Sequence, residues 1–271
     1  VDDCVYLDCR HLGEALIMEK LSQIREIGID LVGCDMITDL IPIRPGMHYA
    51  MGGIRTNIDG QTNLPGVYAA GECACVSVHG GNRLGANSLL DTIVFGERSG
   101  NHAAEAARSV DYVEFNVDQA VRNEEKRIQE LLDRPQNGDR IAAVRLGMGE
   151  SMNRNLAVYR NEEGMQETLE DLTELEKRYE TVPVENKGRI FNTDLVFALE
   201  LGFMLECAEA IILGAMERKE SRGAHTRTDM PDRDDENWLK HILISRTKDG
   251  ETAVDYMPVK ITQWEPQVRS Y

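Results

Sequence analysis

The stretch His79-Gly-Gly-Asn-Arg-Leu-Gly-Ala-Asn-Ser-Leu-Leu-Asp91 joins a glycine-rich loop to the start of an apolar helix, and the rest of the chain is ordered around it. Glycines are dense on either side of it, at Gly52, Gly53, Gly60, Gly66, Gly71, Gly80, Gly81 and Gly85. Such density means that the backbone turns tightly or approaches something closely. Leu89, Leu90, Ile93 and Val94 fall at helical spacing, with Asn87 or Ser88 as the cap. The unpaired N–H groups at Ser88 and Leu89 and the helix dipole would then favour negative charge in front of the loop. Arg83 lies within the loop. Its planar fork matches a carboxylate with two parallel hydrogen bonds, which a lysine cannot make.

Toward the amino terminus, Gly66-Val-Tyr-Ala-Ala70 follows an Asn-Leu-Pro turn and is expected to be a short buried strand. Glu72 would close that strand, at the end where open α/β sheets bind ligands, and its carboxylate can accept from sugar or ribityl hydroxyls. A plain surface glutamate at a strand end is the competing reading. His48, between Pro45-Gly46 and Gly52-Gly53, is a candidate second donor to a carboxylate. For His48 and Arg83 taken singly, a hydrogen-bonded histidine and a structural ion pair remain the alternatives.

Residues 1–47 read as a short strand from Cys4 to Asp8, a helix through Leu16, Ile17, Leu21, Ile24 and Ile27, and an extended stretch stiffened by Pro42 and Pro45. From Val117 to Ser221 the pattern is helical. Ile141, Val144, Met148, Met152, Leu156 and Tyr159 form one stripe, and Met165, Leu169, Leu172, Leu175 and Tyr179 form another. A third long helix starts near Thr193-Asp194. Three such helices with short polar connections predict an antiparallel bundle. After the charged run from Asp229 to Glu236, strands are expected over Leu239–Arg246 and Thr252–Val259, turned by Lys248-Asp249-Gly250. The fold class is thus multidomain, an α/β part plus an all-α part, with a small carboxy-terminal β region.

The 271 residues carry a formal net charge of -17, which argues against nucleic acid, because a binder must neutralise phosphates with clustered Lys and Arg. The apolar run from Leu195 to Met216 contains Glu200, Glu206 and Glu209, so it reads as a buried helix of a soluble bundle rather than a membrane span. Six cysteines without C-x-x-C spacing suggest neither a disulfide framework nor a metal site and fit a reducing compartment. Cys73 and Cys75 would share a face of an extended strand as a redox pair, or pack as small hydrophobes. His102, His225 and His241 show no metal-ligand spacing, and Gly147-Met-Gly149 lacks the third glycine of a dinucleotide fingerprint. The acidic opening Val1-Asp2-Asp3 is no signal peptide, and the chain reads as a piece of a longer polypeptide.

Together, Val5-Tyr-Leu-Asp-Cys-Arg-His-Leu-Gly13, Pro42-Ile-Arg-Pro45, His48-Tyr-Ala-Met-Gly-Gly53, the Glu72 and Arg83 blocks and Arg233-Asp-Asp-Glu-Asn-Trp-Leu-Lys-His241 closely resemble the carboxy-terminal portion of the flavoprotein subunits of succinate dehydrogenases and fumarate reductases. The resemblance implies that residues 1–47 end a capping domain and 48–110 form the carboxy-terminal part of an FAD-binding domain. Residues 111–222 would be a helical bundle and 223–271 a strand-containing tail. It implies that His48 and Arg83 hold a carboxylate of succinate or fumarate, that Glu72, Ser88 and Leu89 contact FAD, and that His79 lies near the flavin. No catalytic residue is assigned within the chain. The arginine that relays the substrate proton is expected ahead of Val1, as is the glycine-rich FAD motif. The family passes electrons to an iron-sulfur subunit and quinone, and sits peripherally on the inner face of the cell membrane through an anchor subunit. Arg222, Arg227 and the acidic run from Asp232 to Glu236 are then either structural ion pairs or part of a docking surface. An aspartate oxidase, which shares the His-Gly-x-Asn-Arg pattern, and a non-catalytic assembly module are the competing functions. The run from Leu84 to Asp91 and the Arg233-Asp-Asp-Glu-Asn ending favour the first reading over the oxidase, and the glycines clustered beside Arg83 and Glu72 count against the module.

Overall fold

A computed structural model describes residues 4–111 and 114–267, so the opening Val1-Asp2-Asp3 lies outside the described residues. Two compact units are present, residues 1–48 and 49–271.

In the first unit, β1 (Val5–Leu7) pairs antiparallel with β2 (Ile41–Ile43), Tyr6 facing Pro42 in register. The expected single helix is two, α1 (Glu14–Lys20) and α2 (Ser22–Val32), broken at Leu21, whose φ of -129° leaves the helical region. Ile17, Met36 and Cys9 form the small core, with Leu12, Leu21, Ile37 and Ile41 against it. The ion pair from Arg25 Nη2 to Asp35 Oδ2 (2.5 Å) ties α2 to the loop beyond it.

The second unit opens with β3 (Ile54–Arg55), parallel to β4 (Ala74–Cys75). The buried strand expected over residues 66–70 does not form. A single bridge joins Gln61 to Tyr68, and Gly66 and Val67 are exposed. The Leu64-Pro65-Gly66 turn, with Gly66 at φ +82°, leaves too little extended chain to pair. Glu72 therefore closes no strand but sits in a single 3-10 turn, Gly71–Cys73. Helix α3 (Asn87–Ser109) begins one residue earlier than a cap at Asn87 or Ser88 would allow. Ala86, at φ +64°, holds the cap position and contributes no side-chain hydrogen bond.

Helix α4 (Val117–Leu132), α5 (Ile141–Leu156), α6 (Glu162–Tyr179) and α7 (Thr193–Glu217) follow. Asn116, Asn161 and Asn192 cap α4, α6 and α7, each side chain accepting a first-turn N–H. On α7 the buried residues are Ala198, Leu201, Leu205, Ala208, Ile212 and Ala215. Their spacing of three and four makes one stripe, which packs against Val144 and Met148 of α5 and Met165, Leu172 and Leu175 of α6. Here α7 departs from the buried helix expected, because Phe197, Phe203 and Ile211 are exposed on its other faces. The connection from α6 to α7 is also longer and less polar than expected. It runs over residues 180–192 and buries Val182 and Val184 completely. Arg134 holds it by donating to the carbonyls of Tyr179 (2.7 Å) and Val182 (3.2 Å). The end of α4 joins the bundle there, where Leu131 packs with Val184 and Ala198.

Between α5 and α6, β5 (Tyr159–Arg160) pairs parallel with β6 (Thr226–Arg227). A short α8 (Asp235–Trp238), capped by Asp234, leads into the antiparallel hairpin of β7 (Lys240–Arg246) and β8 (Thr252–Pro258). Gly250, at φ +83°, makes its turn. Lys240 lies over the rings of Trp238 (4.6 Å) and Tyr256 (4.0 Å). Among the described residues no disulfide forms, no helix is long and apolar enough to cross a membrane, and no group of three ligating side chains is gathered that could hold a metal ion.

Truncating Leu205 to Ala removes a side chain that is 2% exposed at the center of the α5–α6–α7 stripe. Urea unfolding of Leu205→Ala is expected to show a loss of about 2–5 kcal/mol. The same change at the exposed Phe203 should cost well under half as much.

Candidate functional site

The loop from His79 to Gly85 brings four polar side chains together in the second unit. Asp91, on the first turns of α3, is 4% exposed. Its Oδ2 accepts from the Tyr49 hydroxyl (2.8 Å) and faces His79 Nε2 at 3.1 Å. The Tyr49 and His79 rings meet edge to face, centroids 5.3 Å apart, and the Arg83 guanidinium lies over the Tyr49 ring at 4.8 Å. The Tyr49 phenol is pushed up to about 12, by burial first and then by the hydrogen bond to Asp91 and its charge. It therefore stays a donor across the neutral range.

Two buried donor or acceptor atoms of this cluster have no partner among the described residues: Nδ1 of His79 and Nε of Arg83. Arg83 spends one amino group on the carbonyl of its own neighbour, Leu84 (3.1 Å), and its Nε stays unpaired. Orphaned buried polar atoms cost about 1–3 kcal/mol each, so this pair is the feature of the cluster that calls for an explanation.

The other residues named from sequence are placed as follows. Glu72 is exposed, and its Oε1 accepts the Ala50 N–H (2.8 Å), leaving Oε2 to accept from a hydroxyl. Ser88 and Leu89 lie in the first turn of α3, where no side chain caps the helix, so the N–H groups there are available to an acceptor. Leu89 is 69% exposed. His48 is exposed in the extended segment that closes the first unit. Cys73 is exposed in the 3-10 turn while Cys75 is half-buried in β4. Tyr49 and Asp91 were not singled out by sequence. Asp91 could have been, because a carboxylate between Leu90 and Ile93 in an apolar helical stripe must find a partner.

The loop itself rests on a turn from the tail of the chain. Arg222 and His225 exchange backbone hydrogen bonds (2.8 and 3.0 Å), and the Ala224 N–H between them donates to the Gly81 carbonyl (2.9 Å). Arg222, Arg227 and part of the acidic run form ion pairs within the chain. Arg222 forks onto Glu220 (2.6 and 2.9 Å) and reaches Asp235 (2.6 Å), which Arg233 also pairs. Arg227, fully buried, forks onto Asp229 and bonds Glu162. That pair of hydrogen bonds from Arg227 holds the Asp229 carboxyl well below the usual carboxylate range. A cavity of 240 Å³ lies beside the loop, lined among others by Ser77, His79, Asp91, Arg218 and His241. Across it the Ser77 hydroxyl meets His241 Nε2 at 2.7 Å.

An uncapped helix start thus lies behind a glycine loop that carries Arg83, an arrangement in keeping with the FAD-binding fold that the family resemblance implies. Comparison with known proteins agrees. Residues 1–89 match the family model for the FAD binding domain, and residues 145–271 match the model for the carboxy-terminal region of the fumarate reductase flavoprotein. A fumarate reductase flavoprotein subunit of Mycobacterium tuberculosis is 44% identical over 272 residues, spanning 98% of this chain and 47% of that protein. A succinate dehydrogenase flavoprotein subunit of Rickettsia conorii is 38% identical, spanning 98% and 46%. A solved structure of Escherichia coli quinol fumarate reductase superposes with a TM-score of 0.92 at 41% identity, covering 98% of this chain and 46% of that one. The chain belongs to the family of fumarate reductase and succinate dehydrogenase flavoprotein subunits. It spans about half the length of the curated relatives it matches.

One titration reports on the turn. His225 is held down to about 4, by burial first and then by the charge of Arg160, whose Nη1 lies 2.9 Å from its Nδ1, with Arg218 and Arg227 also facing it. A depressed base is neutral in the fold while the unfolded chain takes a proton. Its contribution is therefore complete above about pH 6.5 and is lost as pH falls toward 4. Thermal melting of His225→Asn is expected to fall less steeply than the parent protein between pH 6.5 and 4, and equal slopes would show that this imidazole is not the group responsible.

Proposed function

We propose that this chain is the part of a flavoprotein subunit that interconverts succinate and fumarate, with Arg83 as the residue of this chain that grips a substrate carboxylate. The observation that carries the reading is the Arg83 fork, stacked on Tyr49 with its buried Nε unpaired. FAD, when bound, supplies hydride acceptance and donation. The residues present fit it: the uncapped start of α3 at Ser88 and Leu89 favours negative charge, and Glu72 Oε2 can accept a hydroxyl.

The chemistry assigned to this chain is binding and orientation. Arg83 draws a carboxylate into two parallel charge-assisted bonds, which aligns the substrate and polarises its carbon-carbon bond. Tyr49 and Asp91 keep Arg83 and His79 from swinging, since the phenol lies under one and the carboxylate beside the other. His48 is proposed as a carboxylate donor on the family resemblance, and the proton relay falls to an arginine outside the chain. Electrons would leave for an iron-sulfur subunit and a quinone, with the assembly held peripherally at the inner face of the cell membrane by an anchor subunit. The likeness to structures described as quinol fumarate reductase supports this assembly.

The test uses the full-length subunit with FAD in its assembled enzyme, with a reduced dye as electron donor. Arg83→Ala is expected to lower kcat/KM for fumarate by about 10²- to 10³-fold with FAD retained. Activity on aspartate in place of fumarate would move the assignment to an amino-acid oxidase. Full turnover with failed subunit association would instead make the loop a scaffold.

A further inference from the structure

The residue after Arg222 is a glycine for a reason that the bundle and the hairpin do not supply. Gly223 has φ +60°, and a Cβ placed on it would lie 2.2 Å from both the C and O atoms of Gly81 and 2.8 Å from the backbone N of Asn82. The contact is backbone on backbone, so no flexible side chain can give way. From the other side, a Cβ on Gly81 would lie 3.0 Å from Arg222 Cγ and 3.1 Å from its carbonyl oxygen. The Ala224 N–H to Gly81 carbonyl bond (2.9 Å) fixes the approach. Two glycines, 142 positions apart in the chain, thus let two turns touch where any other pair would hold them apart.

The approaching turn is itself tied down by hydrogen bonds and ion pairs. Glu220, 1% exposed, takes the Arg222 fork, an amino group of Arg218 (2.6 Å) and the Asp234 N–H (2.8 Å). Arg218 goes on to the carbonyls of Trp238 (3.0 Å) and Lys240 (2.7 Å). The turn is therefore anchored to α8 and β7 before it meets the loop. The loop it meets carries Arg83 two residues beyond Gly81. Among the described residues, Arg83 is held within the loop by its neighbour's carbonyl and the Tyr49 ring.

We infer that the 222–225 turn is a positioning device for Arg83, with Gly223 and Arg222 as positioning residues that set dicarboxylate affinity without touching the ligand. The inference rests on Arg83 binding a substrate carboxylate. A turn that merely filled space would tolerate a small shift of the loop. A turn that aims a guanidinium would not, since displacement of a positioning group by about 1 Å costs on the order of 10²-fold.

The experiment uses the assembled, FAD-loaded enzyme and the non-reacting dicarboxylate malonate, with Kd read from flavin absorbance and KM and kcat measured for fumarate. Gly223→Ala is expected to raise malonate Kd and fumarate KM about 10- to 100-fold while FAD content is unchanged. In the double variant with Arg83→Ala the two losses should not add, because both act through the same guanidinium. Gly250→Ala controls for backbone strain. Gly250 is equally left-handed, at φ +83°, but no atom lies within 4 Å of its added Cβ, and its Kd should stay at the parent value. If Gly223→Ala fails to assemble, Arg222→Lys keeps the glycine and the charge but loses the fork on Glu220, and should raise Kd in the same direction. A raised Kd in Arg83→Ala with a parent Kd in Gly223→Ala, or in Arg222→Lys where that replaces it, overturns this inference alone. A parent Kd in Arg83→Ala removes the carboxylate reading and the inference with it.

Discussion

A buried carboxylate organises the second half of this molecule. Glu220 is almost wholly out of water, and a charge so placed is tolerable only when its oxygens are filled by opposite charge and hydrogen bonds together. Arg218, Arg222 and the Asp234 N–H fill them. Each of these donors belongs to a different piece of structure. Arg218 follows the end of α7, Arg222 opens the turn against Gly81, and Asp234 caps α8 at the start of the hairpin. Removing the carboxylate would leave two guanidiniums facing each other in a dry setting, so the bundle, the turn and the hairpin share one constraint.

A second buried charge works in parallel and is more one-sided. Arg227 is fully buried and its fork is met by Asp229, with Glu162 at the start of α6 as the next partner. The Asp229 carboxylate also accepts the Glu162 N–H (2.9 Å), so the same pair serves as a cap for α6. This ties β6 to β5 and hence the tail to the α5–α6 junction. Neither cluster lies in the bundle core, which is apolar apart from Ser151 and Thr168. The polar locks sit where segments of irregular backbone must be held, and the apolar stripe holds the regular ones.

Legibility in the sequence followed the same division. The α5 and α6 stripes could be read because periodicity reports burial within an element, and each of these helices buries one face, whereas the β7–β8 hairpin was legible from its turn residues. The strand expected over residues 66–70 could not, because its partners lie outside the short run of extended chain that the Pro65-Gly66 turn leaves. The 180–192 connection was misjudged for a related reason. Val182 and Val184 are buried by Arg134 holding the carbonyls beside them, an interaction 48 residues long that no local pattern announces. At the site, Arg83, Glu72 and Ser88 stood out by residue type beside glycines. Tyr49 and Asp91 did not: the carboxylate of Asp91 in an apolar helical stripe was a signal that went unused, and Tyr49 acquires its role only through its distance from Asp91.

Two arginines in neighbouring turns make the functional contrast plain. Arg222 has its Nε and Nη2 on carboxylates, so it is finished as a structural group. Arg83, in the loop that Arg222's turn supports, is desolvated on the Tyr49 face and still has a bare Nε. A folded chain gains nothing for its own stability by desolvating a guanidinium and leaving it unpaired. On the proposed reading it gains a site for a planar anion, since the fork is already oriented before the anion arrives. The rigidity invested around Glu220 makes sense in that light. Electrostatic stabilisation by a fixed donor depends on the donor not relaxing when the ligand comes or goes, and a glycine loop by itself is the least suitable backbone for that purpose. Packing Gly81 against Gly223, backbone to backbone, gives a permissive sequence a single conformation.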